Sequence, residues 1–149
     1  MGAINIPILG EMYFAREGKG AYMNGKRIHC SNTTELEHSY GTEGGSQNPK
    51  VAYVYLALIE QSKKTPLWIN GVGSAAFSSI LVASGRRDWV VNPSAGGCWD
   101  YAGPSIILKE AGCKVTTIEG KEWTIDEKSI IAANAVLHEK LLSIIRKAK

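Results

Sequence analysis

The chain has 149 residues, 44% apolar and 21% charged, a composition typical of globular domains that excludes a disordered chain. Its 17 basic and 14 acidic residues leave a formal charge of +3 without a cluster of one sign, so we expect neither nucleic acid nor a membrane surface as partner. The length predicts a single domain, residues 1–149, with its own hydrophobic core. Aspartate is scarce, because the chain contains only Asp88, Asp100 and Asp126.

The cysteines indicate the redox environment. Cys30, Cys98 and Cys113 form an odd set without C-x-x-C spacing, which indicates neither a disulfide framework nor a zinc site. We therefore expect a reducing, cytoplasmic setting. The longest apolar run, Val51–Ile59, covers about half of a membrane span, and no signal-peptide pattern is visible.

The first thirty residues have the pattern of antiparallel β-hairpins. Short, partly alternating apolar segments cover Ala3–Leu9 and Glu11–Arg16. Asn24-Gly25 is a strong hairpin signal, since both central positions of a type I′ turn need positive φ, and Lys26–Cys30 is the predicted returning strand. We assign residues 1–31 to this hairpin region and expect its apolar side chains to need cover from outside it.

From residue 39 onward the chain alternates between predicted strands and helices, which is typical of a layered α/β core. The predicted strands are Ser39–Glu43, Leu67–Asn70, Trp89–Val91, Lys114–Ile118 and Ser129–Ala133. Predicted helices follow the caps Asn48 and Asn134 and cover Ser74–Ala83 and Tyr101–Ala111. The helix after Asn48 is apolar around most of its circumference, which predicts that it is buried. The predicted fold class is α/β (α+β): an α-β-α sandwich over residues 39–149, preceded by antiparallel hairpins.

A glycine-rich segment, Gly71–Ala76, lies between a short predicted strand and a helix. Its simplest interpretation is a tight turn with small residues for close packing. Because a helix N-terminus presents free N–H groups, the segment is also a candidate site for a phosphate or polyol. It matches G-x-G-x-x-A, the dinucleotide fingerprint, but the preceding strand is short and Asp88 comes before the next apolar segment rather than after it.

A second candidate is the segment Gly96–Ala102, which contains Asp100 at the start of a predicted helix. An aspartate at this position is most simply an N-cap that accepts backbone hydrogen bonds. It is alternatively a ligand for a hard cation, since a carboxylate at a loop–helix junction can point into a cleft. One carboxylate does not hold Mg²⁺ by itself, because such sites use several carboxylates or a substrate phosphate.

Several segments, taken together and in this order, resemble the inositol monophosphatase family. They are Gly2–Pro7, Glu11–Ala15, Gly18–Ile28, Gly73–Ala76, Val82–Gly85 with Asp88, Trp99-Asp100, Ile106–Gly112 and Ala132–Asn134. The resemblance covers nearly the whole chain. It implies the layered fold and the Mg²⁺-dependent phosphomonoesterase activity of that family, which acts on small phosphorylated metabolites such as polyol and sugar phosphates.

The resemblance also implies roles for individual residues. Asp100 corresponds to the aspartate of the family's Trp-Asp motif, a ligand of the second metal ion. Gly73, Ser74 and Ala75 correspond to the backbone segment that contacts the polyol or sugar of the substrate. Asn92 stands near the position where members acting on inositol carry an acidic residue that contacts a substrate hydroxyl, so we expect Asn92 to be a substrate-binding residue too, although its segment is neutral and one residue longer. The resemblance therefore leaves the substrate open.

The family's early Glu and its Asp-Pro-(Ile/Leu)-Asp-Gly-(Thr/Ser) motif have no counterpart in this sequence. We therefore expect the C-terminal half of a phosphatase that is inactive alone and binds Mg²⁺ weakly or not at all. The expected partners are a second copy of the chain or a second chain that supplies the missing half, as in a split phosphatase. The alternatives are a non-catalytic binding or assembly module and, more remotely, a dinucleotide-binding protein.

Overall fold

The computed structural model describes residues 1–44, 48–94 and 97–149. The strands are β1 (Gly2–Ile6), β2 (Glu11–Arg16), β3 (Gly20–Met23), β4 (Lys26–Ile28), β5 (Tyr40–Glu43), β6 (Trp68–Asn70), β7 (Trp89–Asn92), β8 (Lys114–Thr116) and β9 (Ile130–Ala133). The helices are α1 (Ala52–Ser62), α2 (Ala75–Ala83), α3 (Trp99–Glu110) and α4 (Ala135–Lys147), and short 3₁₀ turns cover Pro7–Leu9 and Pro49–Val51. This mixture of sheets and helices agrees with the predicted fold class.

Strands β1 to β4 form an antiparallel sheet in sequence order, which we call the hairpin sheet. Asn24 and Gly25 have φ of 48° and 77°, as the predicted type I′ turn requires. The strand predicted for Ala3–Leu9 ends at Ile6, because Pro7 cannot donate to the ladder and opens a 3₁₀ turn instead. The returning strand ends at Ile28 rather than Cys30.

The second sheet has five strands in the order β6-β5-β7-β9-β8. Strands β6, β5 and β7 are parallel, whereas β9 pairs antiparallel with both β7 and β8. Since parallel strands end at the same edge of a sheet, the last residues of β5, β6 and β7 lie side by side. This edge positions the candidate site described below.

The elements stack in four layers, with two hydrophobic cores between them. The two faces of β9 contribute to different cores: Ile130 and Ala132 belong to the first core, whereas Ile131 and Ala133 belong to the second. The first core joins the hairpin sheet, α2, α3 and one face of the five-stranded sheet through Tyr13, Ala15, Ala21, Ile80, Ile107, Leu108 and Val90. The second joins the opposite face to α1 and α4 through Val54, Leu58, Trp89, Val91, Leu137, Leu141 and Ile145. Helices on both faces of the five-stranded sheet give the predicted α-β-α sandwich.

Two close backbone approaches hold these layers together. A Cβ atom at Gly2 would lie 2.5 Å from the carbonyl oxygen of Gly103, so the hairpin sheet contacts the backbone of α3 directly. A Cβ atom at Gly41 would overlap the buried ring of Trp89 on the neighbouring strand. Neither position has room for a side chain.

Two predictions about the helices were wrong in detail. The helix α1 is only partly buried: Tyr55 and Leu56 are 43% and 60% exposed, because just one side of the helix meets the second core. The helix α3 begins at Trp99 instead of Tyr101 and continues through Pro104. In the three described ranges, no helix has the length and apolarity needed to cross a bilayer.

Candidate ligand-binding site

A pocket of about 530 Å³ opens at the edge where the parallel strands end. In α/β sheets this edge is the usual position of ligand crevices. The residues that line it are Glu43, Gly44, Gly71, Gly73, Ser74, Ala75, Ser78, Val90, Asn92, Ser94, Asp100 and Tyr101. The five residues singled out in the sequence, Gly73, Ser74, Ala75, Asn92 and Asp100, all line this pocket although they come from three separate segments.

The N-terminus of α2 forms one wall of the pocket. Gly73 has a φ of 70°, and this left-handed conformation turns the chain from β6 into the helix. Ser74 is the N-cap, and its hydroxyl oxygen accepts a hydrogen bond from the Phe77 N–H at 3.2 Å. The other N–H groups of the first turn have no partner within the helix, and the positive end of the helix dipole adds to them. This wall favours an anionic group.

Asn92, the last residue of β7, forms part of the floor. Its side-chain oxygen accepts from the Ser94 N–H at 3.0 Å, and its side-chain nitrogen donates to the Tyr101 hydroxyl at 2.7 Å. Tyr101 is 1% exposed, and burial raises the pKa of its hydroxyl well above the ordinary range. These bonds hold both side chains in fixed orientations.

Asp100 lies in the first turn of α3, and the N-cap position belongs to Cys98. The N-cap interpretation of Asp100 is therefore wrong. Its Oδ2 atom accepts a hydrogen bond from the Gly97 N–H at 3.0 Å, and a carboxylate in the first turn is stabilised by the helix dipole. The same side chain borders the pocket.

Glu43 was not singled out in the sequence, yet it lines the pocket from the end of β5. It is 5% exposed, and burial raises the pKa of its carboxyl group. The signal that could have found it is an acidic residue that ends an otherwise uncharged strand beside other parallel strands.

The donor set bears on whether the pocket can hold Mg²⁺. Asp100 and Glu43 are the carboxylates that line it, and hard cations bind carboxylate oxygens. Within the described ranges, however, no three His, Cys, Asp or Glu side chains come together closely enough to hold a metal ion. The described residues therefore do not form a complete Mg²⁺ site, although Asp100 is suitably placed to contribute one ligand.

The fold and the pocket define a layered α/β protein with a ligand crevice at the carboxyl edge of its parallel strands. Sequence comparison identifies the family, because the profile of the Inositol monophosphatase family matches residues 1–149. The chain belongs to this family.

Individual relatives support this family assignment. The fructose-1,6-bisphosphatase/inositol-1-monophosphatase of Thermotoga maritima is 35% identical over 97% of this chain, and human inositol monophosphatase 1 is 34% identical over 97%. The two alignments cover 54% of the Thermotoga protein and 53% of the human protein, so the chain spans about half the length of these relatives.

Solved structures are also similar to this chain, and the chain again matches only about half of each. The Thermotoga maritima IMPase superposes with a TM-score of 0.85 at 32% identity, covering 98% of this chain and 55% of that one. The extragenic suppressor protein SuhB from Bartonella henselae superposes with a TM-score of 0.88 at 30% identity, covering 97% of this chain and 55% of that one. The family fold predicted from the sequence is confirmed.

Proposed function

We propose that this chain forms the substrate-binding half of a Mg²⁺-dependent phosphatase that acts on a small phosphorylated polyol or sugar. The observation that carries the proposal is the pocket, which combines the N-terminus of α2 with a carboxylate at Asp100. Relatives named as inositol monophosphatases and as a fructose-1,6-bisphosphatase act on such phosphomonoesters.

Each wall of the pocket has a distinct part in this proposal. The N–H groups at Ser74 and Ala75 bind a phosphoryl oxygen or a neighbouring hydroxyl, because they are donors at the positive end of a helix. Asn92 and Tyr101 fix the shape of the floor through their mutual hydrogen bond. Asp100 would contribute one ligand to a Mg²⁺ ion, and a bound ion would supply Lewis-acid stabilisation and an activated water.

We further propose that hydrolysis needs carboxylates from a second polypeptide or polypeptide segment. The described residues offer only part of a magnesium site, and the alignment with the relatives covers about half of their length. A separate chain or chain segment with the rest of the family's sequence would supply these carboxylates, whereas a second copy of this chain carries none of the missing motifs. A reducing cytoplasm is the proposed setting, since the three cysteines are unpaired.

The remote dinucleotide alternative loses support from the topology. The loop Gly71–Ala76 follows β6, which is the edge strand of its sheet, whereas dinucleotide sites lie where the strand order reverses inside a sheet. A non-catalytic binding module remains the second candidate, because the pocket can bind a ligand without the missing carboxylates.

Isothermal titration tests the proposal with Mg²⁺ and myo-inositol 1-phosphate as probes. With one or two carboxylates available, we expect a Mg²⁺ dissociation constant on the order of millimolar or weaker. Asp100→Asn should weaken Mg²⁺ binding further, whereas Asp126→Asn, at an exposed position outside the pocket, should leave it unchanged. Micromolar Mg²⁺ binding, or equal effects of the two variants, would contradict the proposed role of Asp100.

A further inference from the structure

Glu43 is a buried acidic residue for which the described structure provides an incomplete set of partners. It is 5% exposed, and its Oε1 atom, which is inaccessible to solvent, has no hydrogen-bond partner among the described residues. Buried polar atoms in folded proteins are nearly always paired, since an unpaired buried acceptor destabilises the fold. An unpaired carboxyl oxygen in a pocket wall is therefore expected to meet a group that arrives with a ligand.

The position of Glu43 follows from the parallel strands. Glu43 is the last residue of β5, the strand between β6 and β7, and it pairs in register with Val91, one residue before Asn92. The last residue of β6, Asn70, also has a buried side-chain oxygen without a partner in the part of the chain that the structure describes. Three adjacent strands thus end in polar side chains, and two of these three side chains have an oxygen atom left unpaired.

The sequence analysis names Asn92 as an expected substrate-binding residue beside the segment Gly73–Ala75. In the structure, however, the side-chain oxygen and nitrogen of Asn92 already bond to Ser94 and Tyr101. Glu43 lines the same pocket and has an unpaired oxygen, so it is better placed to accept a new hydrogen bond.

Glu43 and the N-terminus of α2 give two parts of the pocket wall opposite electrostatic character. A carboxyl group disfavours a phosphoryl group beside it, whereas the N-terminus of α2 attracts one. A hydroxyl group suits Glu43, because it can donate to a carboxylate and can also pair with a protonated carboxyl. We propose that Glu43 contacts a hydroxyl group of the polyol moiety and thereby determines which phosphomonoesters the site accepts. This inference rests on the proposed function.

The test titrates the full chain with myo-inositol 1-phosphate and, separately, with inorganic phosphate, and follows the amide resonances of the α2 N-terminus by NMR. We expect Glu43→Ala to weaken inositol phosphate binding about tenfold, since a lost hydroxyl contact leaves polar groups unpaired, and to leave phosphate binding unchanged. Glu43→Gln, which keeps the shape of the side chain and one acceptor oxygen, should weaken inositol phosphate binding less than Glu43→Ala does. Thr42→Val is the matched control, because Thr42 is fully buried, its hydroxyl has no partner within residues 1–44, 48–94 and 97–149, and it does not line the pocket.

Each outcome is decisive. Selective loss of inositol phosphate affinity in Glu43→Ala, with Thr42→Val unaffected, supports the role of Glu43. If Glu43→Ala weakens the binding of both probes equally, or of neither, the proposed role of Glu43 is overturned while the proposed function stays intact. If the unmodified chain binds neither probe, the proposed function fails, and the role of Glu43 fails with it.

Discussion

At the scale of single residues, His138 shows how the fold changes the chemistry of a side chain. It is fully buried in α4. Its Nε2 atom lies 2.8 Å from the Thr116 hydroxyl oxygen, within hydrogen-bond distance. Burial, reinforced by the nearby Lys114, lowers the pKa of His138 to about 4. The neutral imidazole is therefore the form that the folded chain holds.

This shift predicts a pH dependence of stability. Between the ordinary histidine pKa near 6.5 and the folded value of about 4, the unfolded chain binds the extra proton. Acidification from pH 6.5 to 4 should therefore lower the free energy of unfolding by up to about 3 kcal/mol. Below pH 4, both the folded and the unfolded chain hold this proton, so His138 causes no further loss of stability. Denaturant titrations at several pH values measure the effect.

The matched variants are His138→Leu, which should flatten this part of the pH profile, and His29→Gln, which changes an exposed histidine and should leave it intact. An unchanged slope in His138→Leu would show that other groups cause the dependence.

At the scale of elements, a long-range contact joins α3 to the hairpin sheet. The carboxylate of Glu110, the last residue of α3, accepts hydrogen bonds from the N–H groups of Gly18 and Gly20 at 2.7 and 2.6 Å. These bonds lower the pKa of Glu110. The turn between β2 and β3 is thus attached to a residue about ninety positions later in the chain.

We expect Glu110→Ala to accelerate amide hydrogen exchange at Gly18 and Gly20, because both N–H groups lose their acceptor. NMR-detected exchange measures this directly. Glu122→Ala, which removes an exposed carboxylate that pairs with Lys109 instead, serves as the control. Equal exchange rates at Gly18 and Gly20 in the two variants would contradict the proposed attachment.

Local sequence signals predicted most elements, because the determinants of those elements are local. The predicted caps Asn48 and Asn134 accept backbone hydrogen bonds as N-caps do, although Asn48 caps the 3₁₀ turn Pro49–Val51 that precedes α1 rather than α1 itself. The exposed side of α1 was missed, since composition does not reveal how much of a helix the neighbouring layers cover. The contact of Glu110 with the hairpin sheet was also missed, because it depends on tertiary packing.

The pocket could be predicted only in part. Its loop and helix-start residues carry a recognisable pattern, and the structure brings Gly73, Ser74, Ala75, Asn92 and Asp100 together. Glu43 escaped notice because a single glutamate at the end of a short strand has no distinctive spacing. Its significance follows from the parallel order of β6, β5 and β7, which depends on pairing between distant segments.

At the scale of the whole molecule, the hairpin sheet has two unlike faces. One face packs on α3 and buries Tyr13, with Ile4 and Ile6 against the same core, so these side chains need no external partner. On the other face, β-sheet register aligns Ala3, Phe14, Tyr22 and Arg27 in one row. Met12 and Phe14 are 47% and 41% exposed there. Apolar residues grouped in this way are typical of a contact surface.

We expect the chain to form a dimer or larger assembly in solution through residues 3–28, since exposed apolar side chains and a sheet edge favour association. Light scattering coupled to size-exclusion chromatography measures the mass. Phe14→Glu should shift the assembly toward monomer, whereas Leu56→Glu, at an exposed position on α1, should not. A monomer at micromolar concentration in the unmodified chain would contradict this expectation.

We propose that this chain carries the substrate-binding side of a phosphatase site and that hydrolysis needs further carboxylates. The most direct test is phosphate release from myo-inositol 1-phosphate by the purified chain with Mg²⁺ present. We expect release at the background rate, with activity appearing only when a polypeptide bearing the remaining family motifs is added. Hydrolysis by the chain alone that persists through purification and is abolished by Asp100→Asn would contradict it.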